Sequence, residues 1–124
     1  MDKATVTDPY EQACVVLGIE PKAPLLDRSN SDEVSIDAYG RLIICIRAKN
    51  AIDGKPWVPV YDGSERHYWP YFEKDDSGFG FSCTGYGYWY TYAGVGSRLE
   101  YRTRELAEEG AEEFKQLYND YFIQ

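Results

Sequence analysis

The chain has a single histidine, His67, and it stands among carboxylates: Glu65 before it, and Glu73, Asp75 and Asp76 after it. An imidazole titrates near neutral pH, so such a neighbourhood could make a general base or one ligand of a metal. A base needs an oriented substrate and a metal needs further ligands, and the spacing supplies neither. His67-Tyr68-Trp69-Pro70 reads first as the opening of an aromatic strand. Carboxylate pairs of the kind that hydrolyse glycosides can be drawn from Asp75, Asp76 and the glutamates between 105 and 113, but no spacing singles one out.

Val95-Gly96-Ser97-Arg98 places small residues before a cation, and adjacent backbone N–H groups there could hold an anion. The plainer reading is a turn that sets Arg98 against a helix carboxylate. Cys14, Cys45 and Cys83 are far apart and odd in number, without the close pairs of a zinc site, which points to reduced, buried thiols. No catalytic residue, metal or cofactor is expected from these patterns.

The most distinctive stretch is Gly85-Tyr86-Gly87-Tyr88-Trp89-Tyr90-Thr91-Tyr92-Ala93-Gly94. In an extended conformation, alternation puts Tyr86, Tyr88, Tyr90 and Tyr92 on one face and Trp89 on the other. Rigid amphipathic rings lose little entropy on ordering and supply contact area, so Tyr86, Tyr88, Trp89 and Tyr90 are the candidate partner-binding residues, with Arg98 as a polar anchor. The competing role is structural, with the same rings packed against Trp57, Trp69 and the helices.

A formal charge of −8 and an isoelectric point near 4.6 oppose direct binding to nucleic acid or to anionic membranes, which draws its free energy from lysine and arginine. No membrane-spanning run and no secretory leader is visible, and a cytoplasmic location is expected. The acidity suggests an alternative: Glu105, Glu108, Glu109, Glu112 and Glu113 could imitate phosphates and inhibit a host DNA-binding protein.

Elements must hold these residues in place, and 124 residues suit one domain, over 1–124, with residues 1–7 disordered. Asp8-Pro9-Tyr10-Glu11 opens a short helix that Gly18 closes. Asn30 and Glu33 open a long one that runs to Asp53-Gly54, with Val34, Ala38, Leu42, Cys45, Ile46 and Ile52 as its stripe; a strand over 42–46 competes with it. Asp62-Gly63 reads as a turn. Strands follow at 67–74 and 78–83, joined through Asp75-Asp76-Ser77-Gly78, with a third at 98–102. Thr103 caps a final helix carrying Ala107, Ala111, Phe114, Tyr118 and Tyr121. The expected class is α+β, a three-stranded antiparallel meander with about three helices on one face. Its edges invite pairing, so a homodimer is one expected assembly.

The segments Tyr68-Trp69-Pro70-Tyr71-Phe72, Ser77-Gly78-Phe79-Gly80-Phe81, and Val95-Gly96-Ser97-Arg98-Leu99 leading into Thr103-Arg104-Glu105-Leu106-Ala107 resemble a family of small uncharacterised proteins. That family is encoded by phages, prophages and mobile elements of gut bacteria. The likeness covers roughly residues 34 to 122; it implies a shared α+β fold and a phage-related accessory role, and transfers no site residue. The reading as a whole is a non-enzymatic protein-interaction module that binds through its aromatic segment. The alternatives are the acidic mimic and a small-ligand or enzyme pocket near His67 and Arg98.

Overall fold

A computed structural model describes residues 7–22, 26–60, 62–75, 78–90 and 98–122; within the hairpin, side chains are described for 64–70 and 72. The element order is α1 (Pro9–Leu17), α2 (Ser31–Asn50), β1 (Asp62–Asp75), β2 (Gly78–Tyr90), α3 (Arg104–Glu113) and α4 (Lys115–Tyr121). The expected disorder of 1–7 lies outside the described residues except for Thr7, which is exposed.

Local chemistry explains where the helices begin. Asp8 accepts the Glu11 N–H at 3.0 Å and Pro9 takes the first turn of α1; Gly18, at φ 69°, closes it in the left-handed region that glycine favours. Asn30 accepts the Glu33 N–H at 2.9 Å, while the Glu33 carboxylate turns back to the Asn30 amide and to Ser29, forming a reciprocal cap on α2. The apolar run at 42–46 is helical, because Leu42, Cys45 and Ile46 recur on the one face that is buried. That face joins Tyr10, Ala13, Cys14, Tyr101, Ala107, Phe114 and Tyr118 in one core. The Arg41 guanidinium lies 4.7 Å from the centre of the Tyr10 ring and its Nε donates to Asp37 at 2.9 Å, so a buried carboxylate is paired within the helix.

Three expectations are corrected. First, the sheet is not a three-stranded meander under about three helices: among the described residues it is a two-stranded hairpin, β1 with β2, accompanied by four helices. Residues 98–102 form a single bridge, with Tyr68 N–H donating to the Tyr101 carbonyl at 3.0 Å and Tyr101 N–H to the Tyr68 carbonyl at 2.7 Å. On the side of this segment away from β1, a side chain takes the place of a further strand. Asn50 Nδ2 donates to the Glu100 carbonyl at 2.9 Å, and Asn50 Oδ1 accepts the Arg102 N–H at 2.8 Å. Thr103 then caps α3 by accepting the Leu106 N–H at 3.1 Å, which turns the chain out of the sheet.

Second, the strands are longer than the sequence implies. Asp62-Gly63 begins β1 instead of turning, and β2 carries on through the Tyr/Gly stretch to Tyr90. Third, the C-terminal helix is two helices. Phe114 adopts φ −105° and ψ 20° between α3 and α4, although its N–H still reaches the Gly110 carbonyl at 2.9 Å. The change of direction brings Tyr118 to the Tyr101 hydroxyl, 2.8 Å away, and to the Phe72 ring, 4.6 Å between centroids. The hairpin is thereby anchored to α4.

Candidate interaction edge

His67 does not form an open site. It is fully buried on β1; its Nδ1 lies 2.5 Å from a carboxylate oxygen of Glu100, itself almost wholly buried. Nε2 faces the Val60 carbonyl at 2.9 Å and Glu65 Oε1 at 3.2 Å, and the Trp57 ring lies 5.7 Å away between centroids. Glu65 also accepts the Val60 N–H at 3.1 Å. Both ring nitrogens are engaged and the ring is fully buried, so the imidazole fastens Trp57, Val60 and Glu65 to Glu100 at the crossing. Arg98 is exposed in the turn before that crossing, and among the described residues no carboxylate lies within ion-pair distance of it. The rest of the candidate anion-binding run, 95–97, lies outside the described residues.

One cleft among the described residues lies elsewhere. A cavity of about 290 Å³ opens between α1, α2 and α3, lined by Ala13, Val16, Cys45, Lys49, Glu113 and Phe114 among others, and includes neither His67 nor Arg98. Lys49 at its mouth is held by Glu113 at 2.7 Å and Glu109 at 3.3 Å. Burial pushes the Cys45 thiol up to about 12, so it stands there as a neutral, unreactive group. Cys14 and Cys45 are free and buried, as the sequence implies; the Cys83 side chain lies outside the described residues. No group of three or more potential metal ligands occurs among the described residues.

What the backbone places on β2 is more informative. Between Arg66 and Tyr71 the hairpin is regular: Arg66 stands opposite Tyr88, His67 opposite Gly87, Tyr68 opposite Tyr86, Trp69 opposite Gly85 and Pro70 opposite Thr84. In an antiparallel ladder, alternate pairs exchange hydrogen bonds and the intervening ones turn their N–H and C=O groups to the outer edges. Tyr68 spends both of its groups on Tyr101, on the side away from β2, so Tyr68 and Tyr86 form a non-hydrogen-bonded pair. Two residues on in either direction, Arg66–Tyr88 and Pro70–Thr84 have the same parity. Pro70, which has no N–H, sits where none is needed. Thr84, Tyr86 and Tyr88 therefore direct their backbone groups to the outer edge of β2, and no described strand pairs with that edge.

Of the candidate binding residues, Tyr86, Tyr88, Trp89 and Tyr90 all fall on β2, with Tyr90 opposite Asp62. Their side chains lie outside the described residues. Sequence reasoning ends the strand at 83 and treats the Tyr/Gly stretch as extended only conditionally; it also misses the edge, because edge parity depends on the Tyr68–Tyr101 bridge, a contact across thirty-three residues that no local pattern announces. The glutamates at 105, 108, 109, 112 and 113 are all exposed on α3, two of them against Lys49. Among the described residues no helix is long and apolar enough to cross a membrane. Compared with protein-family models, with curated proteins and with solved structures, the chain matches none.

Proposed function

We propose that the chain is a protein-interaction module, an accessory protein of phage or mobile-element type, that receives an extended segment of a protein partner along β2. The observation that supports this is the edge itself: the backbone groups of Thr84, Tyr86 and Tyr88 face away from β1 in a strand without one charged residue or proline. Main-chain hydrogen bonds along such an edge supply affinity, and the alternating aromatics at 86, 88, 89 and 90 supply contact area and selectivity. Arg98, exposed nearby in sequence, is the proposed polar anchor. The test is capture from host lysate by the wild-type chain, by a Tyr88→Ala, Trp89→Ala, Tyr90→Ala variant and by Tyr86→Pro. A protein retained by the wild type and lost from both variants supports the reading; equal retention by all three removes it.

A second reading is favoured by the five exposed glutamates of α3, which present carboxylates along one helix as an acidic nucleic-acid mimic would. Lys49 offsets two of them. Displacement of DNA from a host protein, weakening steeply with salt, would support this reading; its absence at low salt would end it.

A further inference from the structure

We infer that the strand received by the outer edge of β2 is β2 of a second copy, paired antiparallel about a two-fold axis at Gly87. The inference rests on the interaction reading above and names its partner.

Proteins commonly protect long sheet edges with lysine, proline, inward-pointing charge or a covering element. β1 follows that practice: it carries Asp62, Glu65, Arg66, Glu73, Lys74, Asp75 and Pro70, and its outer side is bridged at Tyr68 by Tyr101. β2, Gly78–Tyr90, carries none of these residues over thirteen positions. Its pairing with β1 has two register shifts, one opposite Tyr71 and Phe72, where Cys83 and Phe81 face consecutive residues of β1, and one between Asp62 and Arg66, which face Tyr90 and Tyr88, so the pairing is uninterrupted from Cys83 to Tyr88. An edge so unguarded needs an equally unguarded partner, and a second copy always brings one.

The sequence of this stretch is complementary to itself. With Gly87 on the axis, Tyr86 stands opposite Tyr88 of the other copy, Gly85 opposite Trp89 and Thr84 opposite Tyr90. Tyr86 and Tyr88, whose N–H and C=O groups face outward, become the hydrogen-bonded pair. A tryptophan opposite a glycine is an arrangement in which an aromatic ring covers the backbone that glycine leaves bare. Pairing turns a two-stranded ribbon, marginal by itself, into a four-stranded sheet, and the contact is isologous and closed. No charge within β2 opposes it, while the −8 on each copy repels across the rest of the surface. The association should therefore tighten as salt screens that repulsion.

The experiment is sedimentation equilibrium of the full chain from about 1 to about 100 μM, at low and high salt, with amide exchange of the same samples. The expected result is a monomer–dimer equilibrium that strengthens severalfold with salt, with concentration-dependent protection of the Tyr86 and Tyr88 amides. Tyr86→Pro, which deletes an N–H the hairpin does not use, is expected to abolish dimerisation. A monomer at every concentration, a dimer that salt weakens, or protection that develops outside 84–90 would overturn the inference; should Tyr86→Pro misfold, the wild-type exchange pattern decides alone. A monomer that still captures a lysate protein, lost with Tyr86→Pro, would sink the second copy and leave the interaction reading standing. A monomer that captures nothing would sink both.

Discussion

Arg102 is bonded twice to Asn50: its backbone N–H donates to the Asn50 side-chain oxygen at 2.8 Å, and its guanidinium Nε donates to the Asn50 carbonyl at 3.0 Å. The Asn50 amide also takes the Glu100 carbonyl, so the last residue of α2 acts as a short substitute strand beside 100–102. Asn50→Ala would remove the donor to the buried Glu100 carbonyl, at a cost of about 1–3 kcal/mol, and the acceptor of the part-buried Arg102 N–H, which water can partly replace. Urea denaturation should show a loss in that range. Asn50→Asp should also lose stability, because a carboxylate cannot donate to the Glu100 carbonyl. A change under about 0.5 kcal/mol in either variant, the usual scale of a surface substitution, would contradict this role.

The Tyr101 ring lies against the backbone of α3 at Gly110, so close that a Cβ there would overlap its ring carbons and hydroxyl. In an exposed helix, Gly→Ala gains up to about 1 kcal/mol. Here the sign should reverse. Tyr101 is fully buried and tied to Tyr118, and overpacking of this kind costs about 1–3 kcal/mol. A lowered melting temperature for Gly110→Ala is the expected outcome, and a raised one would show that the ring has room to move.

Glu100→Leu should destabilise the chain by about 1–3 kcal/mol, since it leaves the buried Nδ1 of His67 unpartnered. Replacing both groups, with His67→Phe added, should recover part of that loss, because an apolar pair need not satisfy polar atoms. A double-mutant cycle in urea measures the coupling. Additive losses would mean that the pair contributes nothing as a pair.

Alkaline pH should unfold the protein. Burial holds the Cys45 thiol near 12 and raises the Tyr101 and Tyr118 hydroxyls above their ordinary 10.0. Each is neutral in the fold and ionises more readily once unfolded, so its stabilising effect is complete below the unfolded value and is lost as pH rises toward the folded one. Urea midpoints should stay level with respect to these groups up to about pH 9, then fall, more steeply above 10. Tyrosinate absorbance should show at least two tyrosines that ionise only with unfolding. A flat midpoint to pH 11 would refute this.

The sequence is most legible where one or two side chains decide the outcome locally. Asp8, Asn30 and Thr103 cap helices where their types predict, and Asp75 and Gly78 bracket the hairpin connection. It misleads where a distant group competes for the same backbone. Leu99 to Arg102 has the composition of a strand, yet it makes one bridge to β1 at Tyr101, Thr103 turns it into a helix, and Asn50 covers its far side. Phe114 continues the apolar spacing from Ala111 to Tyr118 and still interrupts the helix, a change that sets Tyr118 against Tyr101 and Phe72. For the site, alternation shows how the aromatics would sort if the stretch is extended but not that the strand continues to Tyr90, and the burial of His67 between Glu100 and Val60 is not legible either, because its partners come from separate segments.

The central claim is that the outer edge of β2 is open in the single chain and is the surface that binds. Residue-resolved amide hydrogen exchange at low protein concentration tests it most directly. The account predicts alternation, with the Gly85 and Gly87 amides protected by β1 and those of Thr84, Tyr86 and Tyr88 exchanging fast until a partner is added. Uniform protection of 84–88 in the isolated monomer would mean that the edge is already covered, and would contradict the account.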